Sequence, residues 1–152
     1  MKNCLTIAGS DCSGGAGIQA DLKTFSALGC YGMSAISAVV AENTERVIST
    51  MPVTPSVIYD QLEAVFTDIR VDAVKIGMLP DAGSMHAVAA ALMKFDPEIV
   101  VCDPILAATA GTELMQGSAV NTFITTIVPL CTLLTPNIPE AEKLLGCTIK
   151  EY

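Results

Sequence analysis

The feature that most constrains this chain is the passage from Cys4 to Leu28, an apolar run that dissolves into small residues and then resumes as a helix. Cys4 to Ala8 has the length and character of a short buried strand. Gly9 to Gly17 holds four glycines, which let backbone adopt positive φ and approach another group closely. From Ile18 the apolar residues Ile18, Leu22, Phe25 and Leu28 recur at the spacing of a helix with one buried face. Strand, glycine loop, helix is the opening of a parallel βαβ unit. Open α/β sheets place ligands at such a loop, with helix N-terminal amides aimed at them. The loop lacks the Gly-Lys-Ser/Thr of a Walker A motif and the GxGxxG spacing of a dinucleotide fingerprint. On pattern alone it fits a structural turn as well as a binding loop.

The rest of the chain repeats the alternation. Met33 to Ala41 reads as a second strand with Glu42-Asn43-Thr44 where it emerges, and Val47 to Val53 as an extended segment that folds over the site as a flap. Thr54-Pro55 supplies a cap and a first-turn proline to a helix burying Ile58, Leu62, Val65, Phe66 and Ile69. Ala73 to Ile76 is a third strand, followed by the loop Gly77-Met78-Leu79-Pro80. Asp81 or Ser84 caps a helix to about Lys94 with Met85, Val88, Ala89 and Leu92 inward. Ile99 to Cys102 is a fourth strand ending at Asp103-Pro104, and a loop from Ile105 to Gln116 follows. A helix over Ser118–Val128 turns Val120, Phe123, Ile124 and Ile127 inward, Leu133 to Thr135 is a fifth strand, and a last helix starts near Pro139. This order requires parallel pairing with right-handed crossovers, a three-layer α/β sheet in one domain over residues 1–152.

Composition narrows the function. Apolar residues make up 51% of the 152, charged residues 16%, and there is no Trp. The net charge of −8 and the lack of any Lys/Arg cluster argue against a nucleic-acid partner. An anionic substrate must then be met by backbone amides, a metal ion or a few basic side chains. The six cysteines are scattered without a CxxC pair, so disulfides are not indicated. No apolar run approaches the roughly 18 residues of a membrane span, and a cytoplasmic protein with no membrane partner is expected.

Particular residues say more. Ala8-Gly9-Ser10-Asp11 and Ser13 to Thr24, then Tyr31-Gly32-Met33, Ala41-Glu42-Asn43-Thr44, Val74 to Leu79, Asp103-Pro104 and Leu134 to Glu142 resemble, in order, the hydroxymethylpyrimidine/phosphomethylpyrimidine kinases of thiamine biosynthesis. These belong to the ribokinase-like superfamily, and the resemblance spans the chain. It implies a three-layer α/β/α ribokinase-like parallel sheet, incomplete at the C-terminus, and an ATP- and Mg²⁺-dependent phosphorylation of a small pyrimidine, often by homo-oligomers. The family's second glycine segment, Gly-Thr-Gly-Cys-Thr, does not occur in these residues. No catalytic residue is therefore assigned, and the 152-residue chain alone is expected not to turn over ATP.

Carried over residue by residue, the resemblance makes Glu42 the contact to the aminopyrimidine, where position alone favours a solvated loop carboxylate. It places Asp21 near the substrate hydroxymethyl, although Asp21 also suits the helix dipole or the ordering of the glycine loop. Gly9, Ala16, Met78 and Ile105 become walls around the ring; on its own, Met78 is as well explained as core. Asp103 faces a magnesium-bound phosphate or is simply a turn former, and Asn137 with Glu140 either organises the magnesium or caps the following helix. Thr109-Ala110-Gly111 departs from the family's usual residues, as does Cys12, while Lys75 reads as a strand lysine without chemistry and His86 as a surface or packing residue. The competing readings are a pyridoxal or pyridoxine kinase of the same superfamily and a non-catalytic pyrimidine-binding module. A nicotinamide-dependent dehydrogenase ranks last.

Overall fold

The computed structural model describes residues 1–106 and 117–150. Strands β1 (Asn3–Asp11), β2 (Tyr31–Glu42), β3 (Val47–Pro52), β4 (Ala73–Ile76), β5 (Val100–Cys102) and β6 (Leu133–Leu134) form one sheet in the order β3-β2-β1-β4-β5-β6. Between them run helices α1 (Gly17–Ala27), α2 (Pro55–Asp68), α3 (Ala82–Phe95), α4 (Gly117–Thr126) and α5 (Ile138–Leu145).

Strand alternation separates two packing faces. Leu5 and Ile7 of β1, Val74 and Ile76 of β4, and Val100 and Cys102 of β5 join Ile58 and Leu62 of α2, Met85, Val88 and Leu92 of α3, and Phe123 and Ile127 in one core. The other residues of β1 face α1: the Thr6 hydroxyl bonds to Asp21 on that helix. With α1 on one face and α2 and α3 on the other, the chain reverses its direction of winding at β1, whose neighbours are β2 and β4. A reversal of this kind opens a crevice beyond the carboxyl ends of the strands, where α/β sheets hold ligands.

Three local expectations are corrected. The segment at 47–53 is an edge strand antiparallel to β2, with Ala38 opposite Pro52 and Val40 opposite Thr50, so the sheet is mixed. The cause is the turn before it: Asn43 Oδ1 accepts the N–H groups of Glu45 and Arg46, and its own N–H bonds to the Arg46 carbonyl, which turns the chain straight back. Leu28 stands at the C-cap of α1, 75% exposed, because the helix stops and Gly29 takes φ +74°. Thr54 occupies the N-cap of α2, but its hydroxyl lies against Ser56 Oγ and bonds no helix amide. By contrast Asp81 and Ser84 form a reciprocal capping box on α3. All six cysteines are free thiols, and among the described residues no helix is long and apolar enough to cross a membrane.

Candidate functional site

The glycine loop leaves β1 at the winding reversal, and one carboxylate folds it. Asp11 Oδ1 accepts the Ser13 N–H at 2.7 Å, while Oδ2 accepts those of Gly15 at 2.9 Å and Ala16 at 2.7 Å. Gln19 reaches back from α1 to accept the Asp11 N–H at 2.8 Å. Burial, with Asp11 only 4% exposed, pushes its carboxyl upward, but bonds from the Ser13 side chain and from the Ala16, Ser13 and Gly15 amides outweigh that and hold it below the usual range. Amides expected to face a ligand are thus closed on an internal anion. Sequence reasoning passed over Asp11 as an organiser, although Asp-x-Ser-Gly is the pattern of an aspartate bonding to the backbone just ahead of it. Gly17, at φ +56°, is needed because a Cβ there would run into the Gly9 carbonyl oxygen.

Around this loop the strand ends converge. Gly9 sits under Met78: a Cβ at Gly9 would lie 2.5 Å from Met78 Cε. The Met78 carbonyl is held by Ser37 Oγ at 2.6 Å. Gly77, whose N–H bonds to the Ile7 carbonyl across the strands, is similarly enclosed. A Cβ on it would meet Ala8 Cβ at 2.9 Å, Lys75 Nζ at 3.1 Å and Ile105 Cδ1 at 3.8 Å. Gly9, Met78 and Ile105 therefore gather at the ends of β1 and β4.

Asp21 joins them indirectly. Its Oδ2 accepts from Thr6 Oγ1 at 2.6 Å and from Lys75 Nζ at 2.9 Å, tying α1 to β1 and β4. It is not in the first turn of α1, and Gln19, not Asp21, anchors the glycine loop. Lys75 is likewise no plain strand lysine, since its ammonium is ion-paired at the crevice end of β4. Two residues 54 apart in sequence meet here, and no local spacing signals that.

Glu42 is the last residue of β2 and is half-buried. Cys12 pins its backbone to the glycine loop, donating its thiol to the Glu42 carbonyl at 3.0 Å and accepting the Glu42 N–H at 3.4 Å. Burial, and then the negative charge of Asp11, raise the Glu42 carboxyl above its ordinary value. Ala16 lies exposed in the loop, with its amide on Asp11.

Farther along the sheet, half-buried Asp103 follows β5 and its N–H bonds to the Ile76 carbonyl. Asn137 and Glu140 follow the neighbouring β6 and form a reciprocal capping box on α5: Asn137 Oδ1 accepts the Glu140 N–H at 2.9 Å, and Glu140 Oε2 accepts the Asn137 N–H at 3.0 Å. Among the described residues no three His, Cys, Asp or Glu side chains cluster as a metal site. His86 is exposed on α3. Thr109-Ala110-Gly111 lies outside the described residues.

Against known proteins, the phosphomethylpyrimidine kinase family model matches residues 11–152. The chain belongs to this family. It is 50% identical to the hydroxymethylpyrimidine/phosphomethylpyrimidine kinase of Escherichia coli K12 over 143 residues, 94% of this chain and 54% of that protein. A crystal structure of phosphomethylpyrimidine kinase from Clostridium difficile 630 superposes with a TM-score of 0.94 at 46% identity, covering 99% of this chain and 65% of that one. Pyridoxal kinase of Bacillus subtilis, solved as an ADP complex, superposes with a TM-score of 0.88 at 36% identity, covering all of this chain and 56% of that one. Phosphomethylpyrimidine kinases and pyridoxal kinases thus share this ribokinase-like sheet. The chain spans about half the length of the curated relative.

Proposed function

We propose that the protein carrying this chain transfers the γ-phosphate of ATP to the hydroxymethyl oxygen of 4-amino-5-hydroxymethyl-2-methylpyrimidine, and then to the resulting monophosphate. The observation that carries this reading is Glu42, pinned by Cys12 at the end of β2 beside the glycine loop. A carboxylate there accepts a hydrogen bond from the amino group of the pyrimidine, and a second from a ring nitrogen once that nitrogen carries a proton. Met78, Gly9, Ala16 and Ile105 would wall the ring, and Asp21 with Lys75 would lie toward the hydroxymethyl group.

Asp103 and Glu140 are hard oxygen donors, and the capping box engages Glu140 Oε2, so that among the described residues Oε1 is the oxygen open to a ligand. The two suit a hydrated Mg²⁺, organised with Asn137, which would neutralise phosphate charge when bound. Glu42 and the ring walls would orient the acceptor, and Asp103, Asn137 and Glu140 would hold the metal, so that phosphoryl transfer rests on positioning and charge neutralisation. The same reading makes the protein a cytoplasmic homo-oligomer acting on a small molecule, without nucleic acid or membrane.

The test is ADP release by the intact protein with the pyrimidine and with pyridoxal in parallel, joined to calorimetry of Glu42→Ala. Loss of the charge-assisted bonds should weaken pyrimidine binding by about 1.5–3 kcal/mol. Pyridoxal turned over in preference to the pyrimidine would decide for a pyridoxal kinase, which the likeness to the Bacillus subtilis enzyme keeps in view.

A further inference from the structure

We propose that Lys75 is a specificity-determining residue that donates hydrogen bonds to the phosphate monoester of the second substrate, so that the protein distinguishes the phosphorylated pyrimidine from the free alcohol. This rests on the reading given under Proposed function and goes beyond it in naming the group that meets the anion.

The argument begins with what the glycine loop cannot do. The Ser13, Gly15 and Ala16 amides are engaged by Asp11, and the Gly14 N–H by the Asp11 carbonyl. A nest of amides that elsewhere holds phosphate here holds an aspartate. In a chain of net charge −8, the anionic group must find another donor.

Few cations are placed to serve. Lys2, Lys23, Arg46, Arg70, Lys94 and Lys150 are exposed, and Lys143 is on α5. Lys23, the nearest in sequence to the loop, is bound to the outward Gly14 carbonyl at 2.6 Å. Lys75 differs in burial and direction. Its side chain is 24% exposed, and its ammonium reaches the carboxyl end of β4, against Gly77 and near Ile105.

An ammonium has three N–H donors. Among the described residues that of Lys75 makes one hydrogen bond, to Asp21, so two donors remain beside Gly77, where β4 ends. Asp21 fixes the ammonium, and Gly77, having no side chain, leaves it room. Phosphate oxygens carrying formal charge gain more from those donors than a neutral hydroxyl does.

The experiment compares Kd by calorimetry, and KM against kcat, for the alcohol and its monophosphate in the intact wild-type protein, Lys75→Met and Lys75→Arg. Lys75→Met is expected to weaken the monophosphate about 10- to 100-fold more than the alcohol, mainly in Kd and KM, with Lys75→Arg restoring most of the difference. Should Lys75→Met not fold, Lys75→Gln, which can still bond to Asp21, makes the same comparison. Equal losses for both substrates, or none, overturn the assignment and leave Lys75 as a strut between α1 and β4. A wild-type protein that binds neither compound overturns the pyrimidine reading as well.

Discussion

Replacing Asp11 by Ala should unfasten the glycine loop. The carboxylate accepts three backbone N–H groups at 2.7–2.9 Å from a position only 4% exposed. A hydrogen bond to a charged acceptor contributes about 1.5–3 kcal/mol net, which for three bonds gives roughly 4.5–9 kcal/mol as an upper bound. Ser13, Gly15 and Ala16 are themselves exposed, so water replaces much of the loss, and about 2–4 kcal/mol is the expected destabilisation. Asp11→Asn should recover only part, because its amide nitrogen offers a donor where one N–H needs an acceptor. The pH dependence has a definite sign. With the folded pKa depressed, the contribution is fully present above the unfolded value near 3.8 and is lost as pH falls through the folded one. Urea unfolding from pH 7 down to pH 2 measures both effects. The wild type should lose its advantage over Asp11→Ala across the acid end of that range. A difference below about 0.5 kcal/mol at pH 7, or one that stays constant with pH, would refute the claim that this carboxylate organises the loop.

Glu42→Gln should raise Tm at neutral pH: burial and Asp11 lift the folded pKa, so the ionised side chain disfavours the fold above it, and the gain should fade below the unfolded value; thermal melts at pH 4 and pH 7.5 check this. Gly17→Ala should destabilise more than Gly29→Ala, because both take positive φ but only Gly17 would drive a Cβ into backbone, the Gly9 carbonyl, whereas Gly29 has open space; the Gly29 change should cost about 1 kcal/mol in urea unfolding. Asn137→Ala should remove one arm of the α5 capping box at a cost of about 1 kcal/mol, read by amide exchange of Glu140 and Ala141. Phe123→Ala, at a fully buried core position, should cost about 3–5 kcal/mol and serves as a global-stability reference for the others.

Much of the architecture is legible from the chain alone because it is written in short-range terms. A helix with Met85, Val88, Ala89 and Leu92 inward, or a strand over Ala73–Ile76, follows from periodicities of 3.6 and 2 that depend only on neighbours. The strand–loop–helix order also places Glu42 and Gly77 at carboxyl ends of strands, where the structure has them, whereas β1 runs on past Ala8 to Asp11 and takes Gly9 in as an irregularity between Ala8 and Ser10. What periodicity does not carry is which strands become neighbours and what then occupies each polar group. The Asn43 turn lays β3 antiparallel along β2, and the order β2-β1-β4 brings Lys75 to Asp21. Asp11 closes the amides of its own loop because three N–H groups curl around one carboxylate, a contest between an internal anion and an external one. Side-chain partnership of that kind is set by three-dimensional proximity and burial, so residue types marked out the crevice, and only the folded sheet decided which of its charges were left to meet a ligand.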